Sequence, residues 1–285
     1  MTPEDYCQDK ASQSGSSFYY SFVILPKKQR QAITALYAYC REVDDVVDNS
    51  TEPAIARTKL DWWRDELDRL YQDKPQHPVT QALAHVLKHT DLPKEQLQEI
   101  LDGMTMDLEQ NRYASFKELS LYCYRVASVV GLLAAHIFGY RDHNTQKYAR
   151  DLGMAFQLTN IIRDVREDAE RNRIYLPQTM LAEFHVAEAD ILQFKQTPEL
   201  SQLLAELTSQ ARHYYRRALN HLPKEDRYAQ RAGLMMAAIY QSVLEEVELD
   251  GFRVMQHRIS LPPSRKFWIA MKVLLKEKVR HLLRR

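Results

Sequence analysis

Two acidic stretches hold the residue types best suited to chemistry. In YAYCREVDDVVDN, residues 37–49, Asp44 and Asp48 stand four apart, with Arg41 and Tyr37 on the preceding turns. On a helix advancing about 100° per residue these four fall within about 60° of one another. In FQLTNIIRDVREDAERNR, residues 156–173, Gln157, Asn160, Asp164 and Asp168 share a sector of about 80°, while Leu158, Ile161, Ile162 and Val165 point elsewhere. Like charges four residues apart cost a few tenths of a kcal/mol even on an exposed helix, and an unpaired buried carboxylate costs far more. Something positive must therefore face each stripe. One candidate is arginine or lysine from neighbouring helices. The other is Mg²⁺, which takes one or two protein carboxylates and completes its shell with water and phosphate oxygens. Two such stripes on otherwise apolar helices favour the metal. Arg41, Arg163, Arg166, Arg171 and Arg173 lie nearby in sequence and offer planar forks to phosphate. The chemistry this suits is the ionisation of a diphosphate leaving group on a metal cluster.

Helices must position these stripes. The chain has only 7 glycines and 11 prolines, and Pro26, Pro53, Pro93, Pro198 and Pro223 each precede a long segment of helical apolar period. Helices are expected near 27–48, 54–72, 78–89, 94–111, 116–138, 143–169, 199–221, 224–250 and 264–284, with short pieces near 178–194. Ser115-Phe116-Lys117-Glu118 matches a capping box. No alternating strand pattern competes, and no low-complexity linker or charge block divides the chain. The expectation is one all-α domain over residues 1–285.

Composition narrows the function classes. A net charge of +1 gives no overall field for nucleic acid, and no nucleic-acid partner is expected. Three scattered cysteines, Cys7, Cys40 and Cys123, suggest neither a disulfide framework nor a zinc site and fit a reducing, cytoplasmic setting. The ten histidines form no HExxH pattern, and neither GxGxxG nor a P-loop is present. The N-terminus is acidic and polar, unlike a signal peptide, and no apolar run approaches the roughly 18 residues of a membrane span.

The two stripes, with SGSSFYYSFVILP near the N-terminus, YCYRVASVVG in the middle and AAIYQSVLEEVELDGFRV near the end, resemble the squalene/phytoene synthase family of head-to-head isoprenyl diphosphate synthases. The resemblance covers nearly the whole chain. It implies an isoprenoid synthase fold, a helical bundle around a deep cavity with both aspartate motifs at its mouth. It further implies that Asp44, Asp48, Asn160, Asp164 and Asp168 bind Mg²⁺. Arg41, Arg163, Arg173 and Tyr175 would hold diphosphate, with Ser17, Gln157, Tyr240 and Arg258 as weaker candidates. Phe18, Phe22, Tyr37 and Tyr122 would line the cavity, where aromatic faces attract carbocations without quenching them. Tyr122 also matches a family tyrosine near the reacting centre, and either it or the departing diphosphate would take up the proton released.

Within the family, SGSSFYYSF, REVDDVVD and RISLPPSRKFWIAMK most resemble the bacterial presqualene diphosphate synthases of hopanoid biosynthesis. That resemblance implies two farnesyl diphosphates as substrates, no requirement for NADPH, and separate squalene-forming enzymes downstream. Squalene or dehydrosqualene made in two steps, and phytoene from geranylgeranyl diphosphate, are the family alternatives. A noncatalytic binding or assembly protein on the same fold is the alternative of another class.

Softer signals stay open at this level. Ala127, Gly131 and Ala135 share a helix face, which serves either close packing or room for a prenyl chain. Met104, Met106, Met235 and Met236 are core filler or cavity lining, and Asp107 is a surface, capping or site residue. The basic tail SRKFWIAMKVLLKEKVRHLLRR places Trp268, Met271, Leu275, Val279 and Leu282 at helical spacing. This fits an interfacial helix at the inner face of a membrane and equally a last helix packed on the bundle.

Overall fold

The structure is a computed structural model and describes residues 1–13, 21–50 and 52–283. The regular structure of the described residues is helical, and their only extended pairing is an isolated bridge between Arg112 and Ile174. Helices α1 (Pro3–Gln13), α2 (Lys27–Asp48), α3 (Pro53–Tyr71), α4 (Pro78–Leu87) and α5 (Lys94–Glu109) surround one apolar core that includes Leu36, Tyr39, Leu67 and Leu97. A long rod follows, made of α6 (Phe116–Cys123), a π-helical turn (Tyr124–Ser128) and α7 (Val129–Phe138). Then come α8 (Asn144–Arg163), α9 (Val165–Glu170), α10 (Gln178–Glu183), α11 (Glu188–Leu192), α12 (Pro198–His221), α13 (Arg231–Leu249) and α14 (Pro263–Leu282). Leu158, Leu203, Leu207 and Met235 belong to the core that these later helices share, and Val126 of the π-helical turn packs against both cores.

Prolines start the helices for the reasons their chemistry dictates. Pro53 and Pro198 take the first helical turn, where the missing N–H has no intrahelical partner, and Pro26 and Pro93 take the N-cap. At Ser115 the hydroxyl accepts from Glu118 N, while the Glu118 carboxylate accepts from Ala114 N and not from Ser115 N. The box is therefore displaced by one residue on its return side.

Four features depart from the sequence expectations. Helix α1 was not anticipated; its sequence is polar, with only Cys7 and Ala11 buried, although Thr2 and Asp5 cap it reciprocally. Residues 224–230 form turns, and α13 starts only at Arg231. The cause is tertiary. Asp226 accepts from Arg141 N, Asp142 N and the Thr145 hydroxyl, and Gln230 donates to the Ala135 and Gly139 carbonyls. The expected helix 143–169 divides at Asp164, whose φ of −104° and ψ of 20° leave the helical range. Finally, residues 116–138 are long and apolar enough to cross a membrane by length and composition. They instead pack against α8 and α5, and Arg125 pairs with Glu99 at 3.0 Å.

Two contacts fix α8, the helix that carries the second stripe. Asp151 is 1% exposed and accepts two bonds from Arg217 of α12, at 2.7 and 2.6 Å. Gly153 meets the π-helical turn so closely that a Cβ would stand 2.5 Å from the Ala127 carbonyl oxygen. Gly131 makes the same kind of approach, since a Cβ there would lie 2.5 Å from the Ala149 oxygen. Close packing thus explains Gly131, even though it also lines the cavity described below.

Candidate functional site

A polar cleft opens between α2, α5, α8 and α9, and the segments 171–175 and 250–262 close its rim. It is lined by five aspartates, Asp44, Asp48, Asp107, Asp164 and Asp168, and by five arginines, Arg41, Arg163, Arg171, Arg173 and Arg258. Helix α2 supplies Arg41, whose guanidinium donates to Asp44 at 2.6 Å and to Asp45 at 2.9 Å. Lys10 of α1 also holds Asp45, at 2.8 Å. Across the cleft Asp48 receives Arg173 at 3.0 Å and Arg171 at 3.4 Å.

The positions of these last two arginines follow from the local chain. Asn172 takes a left-handed conformation with φ of 57°, which asparagine tolerates better than most residues. Its carbonyl accepts from Arg112, and Ile174 N and Gln178 N donate to the Asn111 and Tyr113 carbonyls. This stitching anchors the 171–177 segment and turns Arg171 and Arg173 toward α2.

On the second wall the break at Asp164 does not scatter the stripe. Asp164 N still donates to the Asn160 carbonyl and Asp168 N to the Asp164 carbonyl, at 2.8 and 2.9 Å. Gln157, Asn160, Asp164 and Asp168 consequently all face the cleft. Asp164 is paired with Arg163, and Arg258 donates to it at 2.9 Å. Burial pushes its pKa up, but those two arginines prevail and hold it below the usual range. Asp168 has no ion pair among the described residues. Burial, with the charges of Asp164 and Asp107, raises it well above the ordinary carboxylate range. Burial and Asp48 likewise push Asp44 up to about 6, against the pull of Arg41. The buried Asn160 Oδ1 has no hydrogen-bond partner.

Asp107 sits at the centre of this arrangement. It accepts from Tyr175 at 2.7 Å and Tyr122 at 2.9 Å, and burial raises it to about 6. The rings of Tyr122 and Tyr175 stack with centroids 5.0 Å apart. Sequence reasoning had left Asp107 undecided because its position belongs to neither stripe. Lys266 had been read only as part of a basic tail; it is partly buried and lies within the fields of Arg163 and Arg258, and burial and those charges lower its pKa. Arg166, expected beside diphosphate, turns away, donating to the Met255 carbonyl at 2.8 Å and lying over the Phe194 ring.

Behind the cleft lies an apolar cavity. Cys40, Val126, Gln157 and Asn160 line both spaces, so the two adjoin. Phe22 and Tyr37 line the cavity and meet edge to face at 6.2 Å, whereas Tyr122 faces the polar cleft. Tyr240 stands against Arg163. Ala127, Gly131 and Ala134 line the wall, while Ala135 is buried in the core away from it. Met236 lines the cavity and Met104 the cleft; Met235 and Met106 pack in the core. Ser17 and Phe18 lie outside the described residues.

A charge-balanced polar mouth above an apolar pocket, inside an all-α bundle, is the arrangement of an enzyme acting on prenyl diphosphates. The squalene/phytoene synthase family profile matches residues 11–265, and the chain belongs to this family of prenyl-transferring enzymes. It is 33% identical over 275 residues to the 15-cis-phytoene synthase of Synechococcus elongatus, covering 91% of this chain and 88% of that one. It is 34% identical over 278 residues to the phytoene synthase of Arthrospira platensis, covering 92% and 89%. A crystal structure of a dehydrosqualene synthase superposes with a TM-score of 0.86 at 28% identity over 97% of each chain. The squalene synthase HpnC of Alicyclobacillus acidocaldarius shares the fold, with a TM-score of 0.78 at 23% identity over 88% of this chain and 94% of that one. The fold is that of the isoprenoid synthases.

Proposed function

We propose that the protein condenses two molecules of geranylgeranyl diphosphate head to head to give phytoene. The observation that carries the reaction class is the polar cleft adjoining an apolar cavity. The choice of substrate length rests on the phytoene synthases at 33 and 34% identity. The motifs SGSSFYYSF, REVDDVVD and RISLPPSRKFWIAMK resemble those of presqualene diphosphate synthases, but REVDDVVD lines the polar cleft, whose diphosphate partner substrates of both lengths share. A second reading, condensation of two farnesyl diphosphates to a C30 product, is supported by the close superposition on a dehydrosqualene synthase.

The residues suit Mg²⁺. Four of the cleft aspartates and the unpartnered Asn160 Oδ1 are hard oxygen donors, as that ion prefers. Among the described residues no three acidic, histidine or cysteine side chains form a ready cage. An ion that takes one or two carboxylates and completes its shell with water and phosphate needs none. Bound there, Mg²⁺ would neutralise charge on the diphosphate as the C–O bond breaks.

Arg41, Arg163, Arg171, Arg173 and Arg258 then bind diphosphate once their carboxylates are otherwise engaged. The allylic cation forms over Phe22 and Tyr37. It is attacked by the C2=C3 double bond of the second substrate, and loss of a proton closes a cyclopropane. Burial and Asp107 hold Tyr122 well above its ordinary pKa, so the phenol stays neutral. Tyr122 donates to Asp107 on the cleft side, and the departing diphosphate takes the released proton. Ionisation of the second diphosphate, rearrangement and a further proton loss complete phytoene. No reductant enters this balance, consistent with the expectation that NADPH is not required.

The test is product analysis by mass spectrometry with Mg²⁺ and each substrate, with and without NADPH. Phytoene from geranylgeranyl diphosphate, indifferent to NADPH, is the expected result. Presqualene diphosphate, dehydrosqualene or squalene formed from farnesyl diphosphate alone would overturn the substrate length. Absence of any condensation product would overturn the reaction.

A further inference from the structure

The last helix, α14, is held on the bundle in one orientation. Glu277, 2% exposed, accepts from Arg227 at 2.9 and 3.1 Å and from Arg280 at 2.9 Å, and Ala270 is buried on the same side. At its other end Arg265 pairs with Glu246 of α13 at 2.7 Å. The opposite face is left uncovered. Trp268, Leu275, Val279 and Leu282 are 70, 57, 54 and 59% exposed and fall within about 60° around the helix. Their positions span about 21 Å along its axis.

The flanks of this stripe are basic. Lys272 and Lys276 lie along one edge and Lys278 along the other, all exposed. The single acid of the helix, Glu277, points inward and is consumed by its two arginines, so the outer face carries no negative charge. An apolar stripe bordered by lysines on a helix lying flat against a folded body matches the surface of an anionic bilayer, with the aromatic and aliphatic tips in the acyl boundary and the ammonium groups among the phosphates. A face built for packing against another protein helix has no need of three lysines and no acid.

We infer that the outer face of α14 docks the protein on anionic lipid, through Trp268, Leu275, Val279 and Leu282 flanked by Lys272, Lys276 and Lys278. The helix begins five residues after Arg258, which lines the cleft. Docking therefore brings the cleft close to the lipid surface. The inference stands on the helix alone and does not depend on the substrate.

Flotation of the full chain with vesicles of phosphatidylcholine, with and without phosphatidylglycerol, tests it. The protein is expected to float with the anionic vesicles, not with the neutral ones, and to be released by high salt. Trp268→Ser with Leu275→Ser abolishes binding. Lys272→Gln with Lys276→Gln weakens it about thirtyfold. Both double variants keep the wild-type circular dichroism and melting temperature, because the side chains are exposed. Failure of the wild type to bind anionic vesicles, or undiminished binding by both double variants, would overturn the inference. So would a concentration-dependent dimer that Trp268→Ser with Leu275→Ser dissolves while vesicle binding is absent, because the face would then belong to a second copy of the chain.

Discussion

Asp164 and Asp168 sit four residues apart on the same wall yet live in opposite environments. Asp164 has Arg163 and Arg258, whereas Asp168 has no ion pair among the described residues and feels the charges of Asp164 and Asp107. The repulsion legible in the sequence is thus concentrated on one residue. Asp168→Asn is expected to raise the melting temperature of the metal-free protein in a chelator, by removing a partly buried carboxyl that has no ion pair among the described residues. The same change lowers turnover by about 10²–10³-fold, the loss typical of one lost electrostatic contact at a reacting centre. Asp164→Asn, which strips two arginines of their partner, lowers both. Thermal scans and steady-state kinetics on the two variants separate these outcomes. Tyr122→Phe removes the hydroxyl that donates to Asp107 at the cleft and, on the proposed function, is expected to cost about hundredfold or more in turnover, with circular dichroism unchanged. Near-normal turnover in that variant would take Tyr122 out of the reaction.

The same residues give the metal-free protein a pH dependence of definite sign. Asp44 and Asp107 are raised from 3.8 to about 6 by burial. A carboxyl whose folded pKa lies above its unfolded one contributes stability that is complete below about 4 and is lost as pH rises through about 6. In a chelator, melting temperature should therefore fall from about pH 4 to about pH 6.5, and Asp107→Asn should flatten that fall. A melting temperature that instead climbs across this interval would contradict the upward displacement of these two carboxyls.

At the scale of the helix, the site depends on how tightly α8 is clamped. A Cβ at Gly153 would stand 2.5 Å from the Ala127 oxygen and 2.6 Å from the Ser128 Cα, both backbone atoms that cannot swing aside. Gly153→Ala should destabilise the fold by about 1–3 kcal/mol, the usual cost of overpacking, and weaken turnover because α8 carries Gln157 and Asn160. Unfolding in urea together with kinetics checks both effects. Most elements were legible because proline starts and a 3.6-residue apolar period coincide, as in α2, α5 and α12. Helix α1 was not, because it buries only Cys7 and Ala11 and has almost no periodic signal, although Thr2 and Asp5 carried the mark of a cap. The turns at 224–230 read as helix because their breaking depends on Asp226 and Gln230 bonding to residues about 80 to 95 positions away. No local pattern shows such contacts.

Over the whole molecule, the two stripes and their arginines were legible because each is confined to one or two helical turns. Asp107 was not, since only the tertiary fold carries it to the cleft; substrate length was not, since it belongs to the cavity and not to the motifs. The assembled cleft has five aspartates and five arginines, so its formal charges balance. Its arginines are paired with Asp44, Asp48 and Asp164, which leaves no guanidinium of the Asp48 and Asp164 clusters free for phosphate. On the proposed function, diphosphate recognition would accordingly be conditional on divalent cations occupying the carboxylates. The direct test is calorimetric titration of the purified protein with inorganic diphosphate, with Mg²⁺ and with chelator in its place. The expected result is binding with Mg²⁺ that falls at least about hundredfold in chelator, a difference of about 2.7 kcal/mol. Equal binding in chelator would contradict a cleft whose positive charge is held in reserve by its own aspartates.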